Sequence, residues 1–283
     1  MLRRTILLAA LALASCQENE TPFPEKSPYA ATAPAALPCV PNLDGKIEAK
    51  ELAPQIGITA TYLVSPAGKE RSVDLAGRTT AGGKLVWQLG NDFADDQVAR
   101  IEASRLDGKW YAASFAAFVS NAFVAPIDAG GTTEGVYTYD ETGIYLHGVA
   151  SATENPPDGK TLLVYGSPIT LYQFPLAPGA SWSTTAEVKN GTFRGLPFAS
   201  RDTYEMKVDA AGELGLPDFV LTQALRIRTF VRIVPAAGQE TTQRQTSFLF
   251  ECLGEVTRAT SKPNEPDENF TTASELRRLG LAR

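Results

Sequence analysis

The chain of 283 residues is short of several things that chemistry needs. It has one histidine, which removes the multi-histidine zinc and iron sites and confines any Ser-His-Asp or Cys-His arrangement to His147. It has no excess of positive charge: 26 Lys and Arg against 32 Asp and Glu leave a formal charge of -6, which argues against phosphate-neutralising contacts with nucleic acid. It has no apolar run long enough to span a bilayer as a helix; the longest, Ile6 to Ala14, is too short. It has three cysteines, at positions 16, 39 and 252. There is no Gly-x-Ser-x-Gly elbow around a nucleophile, and Asp158-Gly159-Lys160-Thr161 lacks the upstream glycine of a phosphate loop because Glu154 stands there. What is present is 43% hydrophobic residues, ample for a packed core.

Arg3 and Arg4 precede the apolar run, as in a secretory signal. Leu13-Ala14-Ser15-Cys16 follows and resembles the lipobox of bacterial lipoproteins. The resemblance implies removal of residues 1–15 as a signal peptide and lipidation of Cys16 with diacylglycerol and a further acyl chain such as palmitate, an anchor that holds without spanning. Gln17 is not the Asp that retains lipoproteins at the inner membrane, so the resemblance implies the outer membrane, facing the periplasm or the cell surface. Loss of Arg3 and Arg4 takes the formal charge from -6 to -8. Residues 16–38, Pro-rich and poor in large apolar groups, read as a lipidated tether; at about 3 Å per residue it reaches several nanometres.

In an oxidising envelope the remaining pair, Cys39 and Cys252, reads as a disulfide joining the two ends of a body spanning residues 39–283. The Gly-rich segment 126–133 marks an alternative boundary between two β domains. Val40 to Leu52 resembles half of an EF-hand or dockerin loop, which implies Asn42, Asp44, Glu48 and Glu51 as calcium ligands. Val40 stands where that pattern needs its first oxygen ligand. An Asp-Gly turn followed by a short helix over Glu48 to Leu52 accounts for the same residues without metal.

From Ile58 onward, β-branched and aromatic runs recur every 8 to 15 residues between turn signals, with no helical stripe long enough for a crossover. The pattern predicts an all-β fold with a short N-terminal helix. The sheet is expected to be mainly antiparallel, curving strongly toward a barrel or a two-layer sandwich. Expected strands include Val98 to Arg105, Trp110 to Val119 and a single run from Thr241 to Arg258, with hairpin turns at Arg105 to Lys109 and Tyr139 to Gly143. Ala224 to Val234 pairs with the run after Thr241. The expected register puts Leu225 and Ile227 on the face of Phe248, Phe250 and an inward Cys252, and Arg226, Arg228 and Arg232 opposite Ser247, Gln245 and Thr241. Those three arginines are candidates for gripping a carboxylate or phosphate; a polar outer face neutralised by acids such as Glu251 and Glu255 is the simpler account.

Phe174-Pro175-Leu176 with Gly179 and Trp182 resembles a stretch found in β-rich bacterial envelope lipoproteins, and Phe174, Leu176 and Trp182 read as core anchors. No cofactor motif and no catalytic constellation is present, which favours a non-enzymatic interaction or structural module. A curved sheet enclosing a lipid or another apolar ligand is the alternative, and an envelope hydrolase the third. Expected partners are the membrane, through the N-terminal lipid, and an envelope protein or apolar ligand; nucleic acid is not among them.

Overall fold

A computed structural model describes residues 39–118 and 122–281. Cys16, the leader and the tether lie outside the described residues, as does Val119. Residues from Cys39 onward form one compact unit. Among the described residues no helix is long and apolar enough to cross a membrane.

The fold is mainly antiparallel β. The first strands are β1 (Thr59–Val64), β2 (Arg71–Ser72), β3 (Arg78–Thr79), β4 (Leu85–Gln88), β5 (Gln97–Glu102), β6 (Ser104–Arg105) and β7 (Ala122–Pro126). A meander follows: β8 (Thr133–Tyr139), β9 (Gly143–Ser151), β10 (Leu162–Gln173), β11 (Ser181–Phe193), β12 (Leu196–Gly215) and β13 (Val220–Pro235). The last strands are β14 (Thr241–Phe250), β15 (Gly254–Thr260), β16 (Thr272–Ala273) and β17 (Glu275–Leu279). The main sheet runs β5-β1-β17-β15-β14-β13-β12-β11-β10-β9-β8-β7-β6. Its two ends are consecutive in the chain, with Ala103 alone between them. One extended segment therefore pairs with β1 by its first half and with β7 by its second, and the curved sheet comes back on itself as a nearly closed barrel. Closure removes most of the unpaired edge that an open sheet of this size exposes.

Register assigns the faces. Tyr204, Met206 and Val208 of β12 oppose Val231, Thr229 and Ile227 of β13, and Ile227 and Leu225 oppose Ser247 and Leu249 of β14. These side chains point into the barrel. The N-terminal segment closes one end: Ile47 bridges Leu176, and Ile47, Leu52 and Leu176 pack against Leu225, Ile227 and Leu249. Cys39 is disulfide-bonded to Cys252 in the turn after β14, which ties this plug to the wall across 213 residues of sequence. The predicted short helix is one 3-10 turn, Ala49–Glu51, with Glu48 and Glu51 forming a reciprocal capping box.

The outer face is covered in two places. Residues 71–96 lie over β12–β15 and β17, where Trp87, fully buried, meets Phe248 edge-on at 4.8 Å. Arginines pin this cover. Arg226 donates to Leu75 O at 2.6 Å, and Arg278 donates to Leu89 O at 2.8 Å and pairs with Asp96. The second cover is residues 106–118 over β7–β10, carrying Tyr111 and Phe115 into the sheet.

Four expectations need correction. Trp110 to Phe118 is not a strand: small residues between aromatics let Ala112–Phe118 wind into 3-10 turns that bury Tyr111 and Phe115 on one side. Consequently Arg105 to Lys109 is not a hairpin turn but the entry to this cover, with Leu106 fully buried. The run from Thr241 is two strands, because Glu251 to Leu253 forms a turn in which Cys252 takes φ +65° and Gly254 takes φ +75°. Finally, Arg226 opposes Phe248 and Arg228 opposes Thr246, one residue off the expected register. A one-residue slip exchanges faces, so Phe248 lies with the arginines and Leu249 lies with Leu225.

Candidate functional site

Of the three arginines singled out from the sequence, two converge on Asp209 and the third stands apart. Arg226 holds Asp209 through Nε at 2.7 Å and Nη2 at 3.0 Å, and stacks over Trp87 at 5.0 Å. Arg228 donates to Asp209 Oδ2 at 3.3 Å, Thr246 Oγ1 at 2.9 Å and Glu268 O at 2.9 Å. Both are buried, and their donors are spent on fastening the outer loops to the sheet. Arg232 is exposed and pairs with Glu240 at 3.4 Å. Their acid is Asp209, not Glu251 or Glu255: Glu251 accepts from Asn42 N and Leu43 N in the plug.

The calcium candidates are likewise occupied locally. Asn42 Oδ1 accepts from Asp44 N, Asp44 Oδ1 from Lys46 N, and Glu51 Oε2 from Glu48 N, while Glu48 pairs with Lys46. Among the described residues no group of three or more His, Cys, Asp or Glu side chains is placed to hold a metal. His147 is buried with Nε2 2.7 Å from Thr138 Oγ1 and its ring 4.0 Å from that of Phe118, and desolvation lowers its pKa. Phe174 and Trp182 pack against Leu176 in the plugged end, as expected of core anchors.

Two other places gather chemistry. The first is a groove of about 600 Å³ on the outer surface of β11–β14, walled by Glu205, Lys207, Phe230, Arg244 and Glu268. Three of these charges have partners: Arg244 donates to Glu265 O at 3.0 Å and lies 4.7 Å over Phe230, and Lys207 faces Glu268 at 3.9 Å. It is an open, charge-balanced shelf.

The second is the barrel interior, which none of the sequence patterns marks. Tyr137 of β8 and Tyr172 of β10 both lie within electrostatic reach of Glu255 and Arg258 on β15 and Arg277 on β17. Those strands are far apart along the sheet, so these side chains meet across the enclosed space. Burial dominates the tyrosines: the phenols of Tyr137, Tyr204 and Tyr62 are pushed up to about 12, and that of Tyr172 higher still. Yet Tyr137, Tyr172, Tyr204, Phe123 and Glu255 each keep part of their surface accessible. These rings pack against the clusters of Leu225, Ile227 and Leu249 and of Leu146, Ile169 and Met206 without being sealed by them.

At the centre sits an ion cluster. Arg277 Nε donates to Glu255 Oε1 at 2.9 Å, Ser247 Oγ donates to Glu255 Oε2 at 2.8 Å, and the Tyr62 hydroxyl donates to Glu255 O at 2.6 Å. Desolvation disfavours the Glu255 carboxylate, but Arg258 and Arg277 outweigh it and hold its pKa below the ordinary range. Arg258 and Arg277 also donate to Ile127 O in the β7–β8 turn. Nearer β11, Asp202 is buried; desolvation raises its pKa, Tyr165 donates to its Oδ2 at 3.0 Å, and its Oδ1 has no partner among the described residues.

Apolar surface flanks the cluster. Phe123 stacks on Tyr137 at 5.2 Å, and Leu146, Ile169 and Met206 form one wall. The fold and this interior together define a β-barrel-like protein with aromatic and charged groups inside. No family model, no curated protein and no solved structure matches the chain.

Proposed function

We propose that the chain is a lipid-anchored bacterial envelope protein, non-enzymatic, whose barrel binds a lipid or another apolar ligand. The observation that carries the binding part is the gathering of partly accessible aromatic rings from β7, β8, β10 and β12 inside the nearly closed barrel. The lipobox resemblance at Leu13 to Cys16 supports the anchor, and Gln17 supports the outer membrane. A tethered binder acts locally, taking up or presenting its ligand at the membrane surface.

Two measurements test the two parts. Full-length protein made in a Gram-negative host takes up labelled palmitate, and Cys16→Ser loses both label and outer-membrane fractionation; retention of label by that variant contradicts the anchor. The neutral dye N-phenylnaphthylamine brightens on binding the wild type, and Thr229→Trp, which fills the interior, weakens binding while leaving the far-ultraviolet spectrum unchanged. Absence of dye binding contradicts the ligand part. The outer groove at Phe230 favours the second reading, a docking module, and is the surface to probe in that case.

A further inference from the structure

Arg258 and Arg277 differ in how well their charges are met. Arg277 has Glu255 as a two-point partner and feels Glu275 as well, whose carboxylate also accepts from Ala129 N at 3.1 Å. Arg258 has less. Its Nε stands 3.6 Å from Glu255 Oε1, beyond hydrogen-bond distance, and has no partner among the described residues although it is buried. Its hydrogen bond to the protein runs from Nη2 to Ile127 O. A guanidinium carries five donors, and enclosing one of them, here Nε, with no acceptor is unfavourable unless an anion completes the set.

The surroundings suit an anion with an apolar body. Desolvation and through-space charge are what act on Tyr137 and Tyr172, with no hydrogen bond to a charged group among the described residues; their phenols stay protonated and are donors. Phe123 and Met206 supply apolar surface beside them. Tyr137, Tyr172 and Phe123 also pack against the apolar cluster at the plugged end, so apolar surface and the arginines both lie near these phenols.

Resting on the ligand-binding reading above, we infer that the interior takes an amphiphile with a single anionic head, carboxylate or phosphate, seated on Arg258 with the phenols of Tyr137 and Tyr172. Arg258 is then the residue that selects charged over neutral amphiphiles. The Glu255–Arg277 pair holds the cluster together without it, so its removal leaves a matched pair behind.

Displacement of bound N-phenylnaphthylamine from the full-length protein tests this with three competitors: oleate, monooleoyl phosphatidic acid and neutral monoolein. A charge-assisted contact at this position predicts displacement by an anionic competitor at about tenfold lower concentration than by monoolein. The better of the two anions identifies the head. Arg258→Met brings the anions and monoolein to within about twofold of each other, and Arg258→Lys restores part of the preference. Equal displacement by all three from the wild type overturns the inference. So does an Arg258→Met protein that melts cooperatively and keeps the preference. If the dye does not bind at all, the ligand-binding reading itself has failed. If Arg258→Met does not fold, the wild-type comparison decides.

Discussion

Arg277 and Glu255 form an ion pair inside the barrel, with Nε 2.9 Å from Oε1 and both side chains largely withdrawn from water. Arg258 Nε stands 3.6 Å from the same oxygen, so Glu255 serves two arginines. Removing the carboxylate leaves two enclosed guanidinium groups without it, at a cost of about 3–5 kcal/mol, whereas removing Arg277 leaves Glu255 beside Arg258. We expect Glu255→Gln to lower the urea midpoint steeply and Arg277→Met to lower it less. Equal losses in the two variants contradict the shared carboxylate.

The same pair sets an acid limit. The folded pKa of Glu255 lies below its ordinary value, so its contribution is complete above the ordinary carboxylate range and is lost as pH falls through the folded pKa. Stability of the wild type therefore drops below about pH 4 more steeply than that of Glu255→Gln. Denaturant titrations at a series of acid pH values compare the two slopes.

Asp202 has the opposite sign. Its folded pKa is raised, so its contribution is greatest at low pH and is lost as pH rises through that value. Its Oδ1 has no partner among the described residues, and Asn keeps the oxygen that accepts from Tyr165. Asp202→Asn should stabilise the protein at pH 7 by about 1–3 kcal/mol and have no such effect near pH 3. Thermal melts at the two pH values check the crossover.

Cys39–Cys252 closes a loop that spans nearly the whole folded body and fastens the plug to the turn after β14. Paired substitution to serine should cost about 2–5 kcal/mol. Proteolysis of the variant should begin in the plug, residues 39–52, ahead of the meander β8–β14. Simultaneous cleavage throughout contradicts a local role for the plug.

Trp87 locks the outer cover onto β14. Trp87→Ala should cost about 3–5 kcal/mol, whereas Trp87→Phe should cost less, because it keeps a ring against Phe248 and leaves a smaller void, and the indole nitrogen has no partner to lose among the described residues. Equal losses in the two variants contradict this packing account.

The strands are legible in the sequence wherever turn residues bracket β-branched runs, as in Thr133–Tyr139 and Gly143–Ser151 around Asp140 and Gly143. Pairing partners follow from those turns, but register is harder. Between β13 and β14 both faces carry apolar and polar residues, with Arg226 and Phe248 on one and Ile227 and Ser247 on the other, so alternation does not identify the buried side. In this barrel both sides are buried there, one by the interior and one by residues 71–96. For the same reason Arg226 and Arg228 look like a binding face in the sequence and are fasteners in the structure. The interior cluster is hidden further: Glu255 and Arg277 lie on the paired strands β15 and β17, but Tyr137 is far from both in sequence and comes near them through closure alone. Closure rests on Ser104–Arg105, which the expected strand Val98 to Arg105 already contains, although nothing in the pattern shows that this end changes partner from β1 to β7.

The most direct measurement of the central claim is native mass spectrometry of the full-length protein extracted from membranes in nonionic detergent. The account predicts the mass of the lipid-modified chain plus one noncovalent amphiphile, released as collision energy rises and absent from Thr229→Trp. A wild-type spectrum that shows the covalently modified chain alone, at every collision energy and after incubation with oleate, contradicts it.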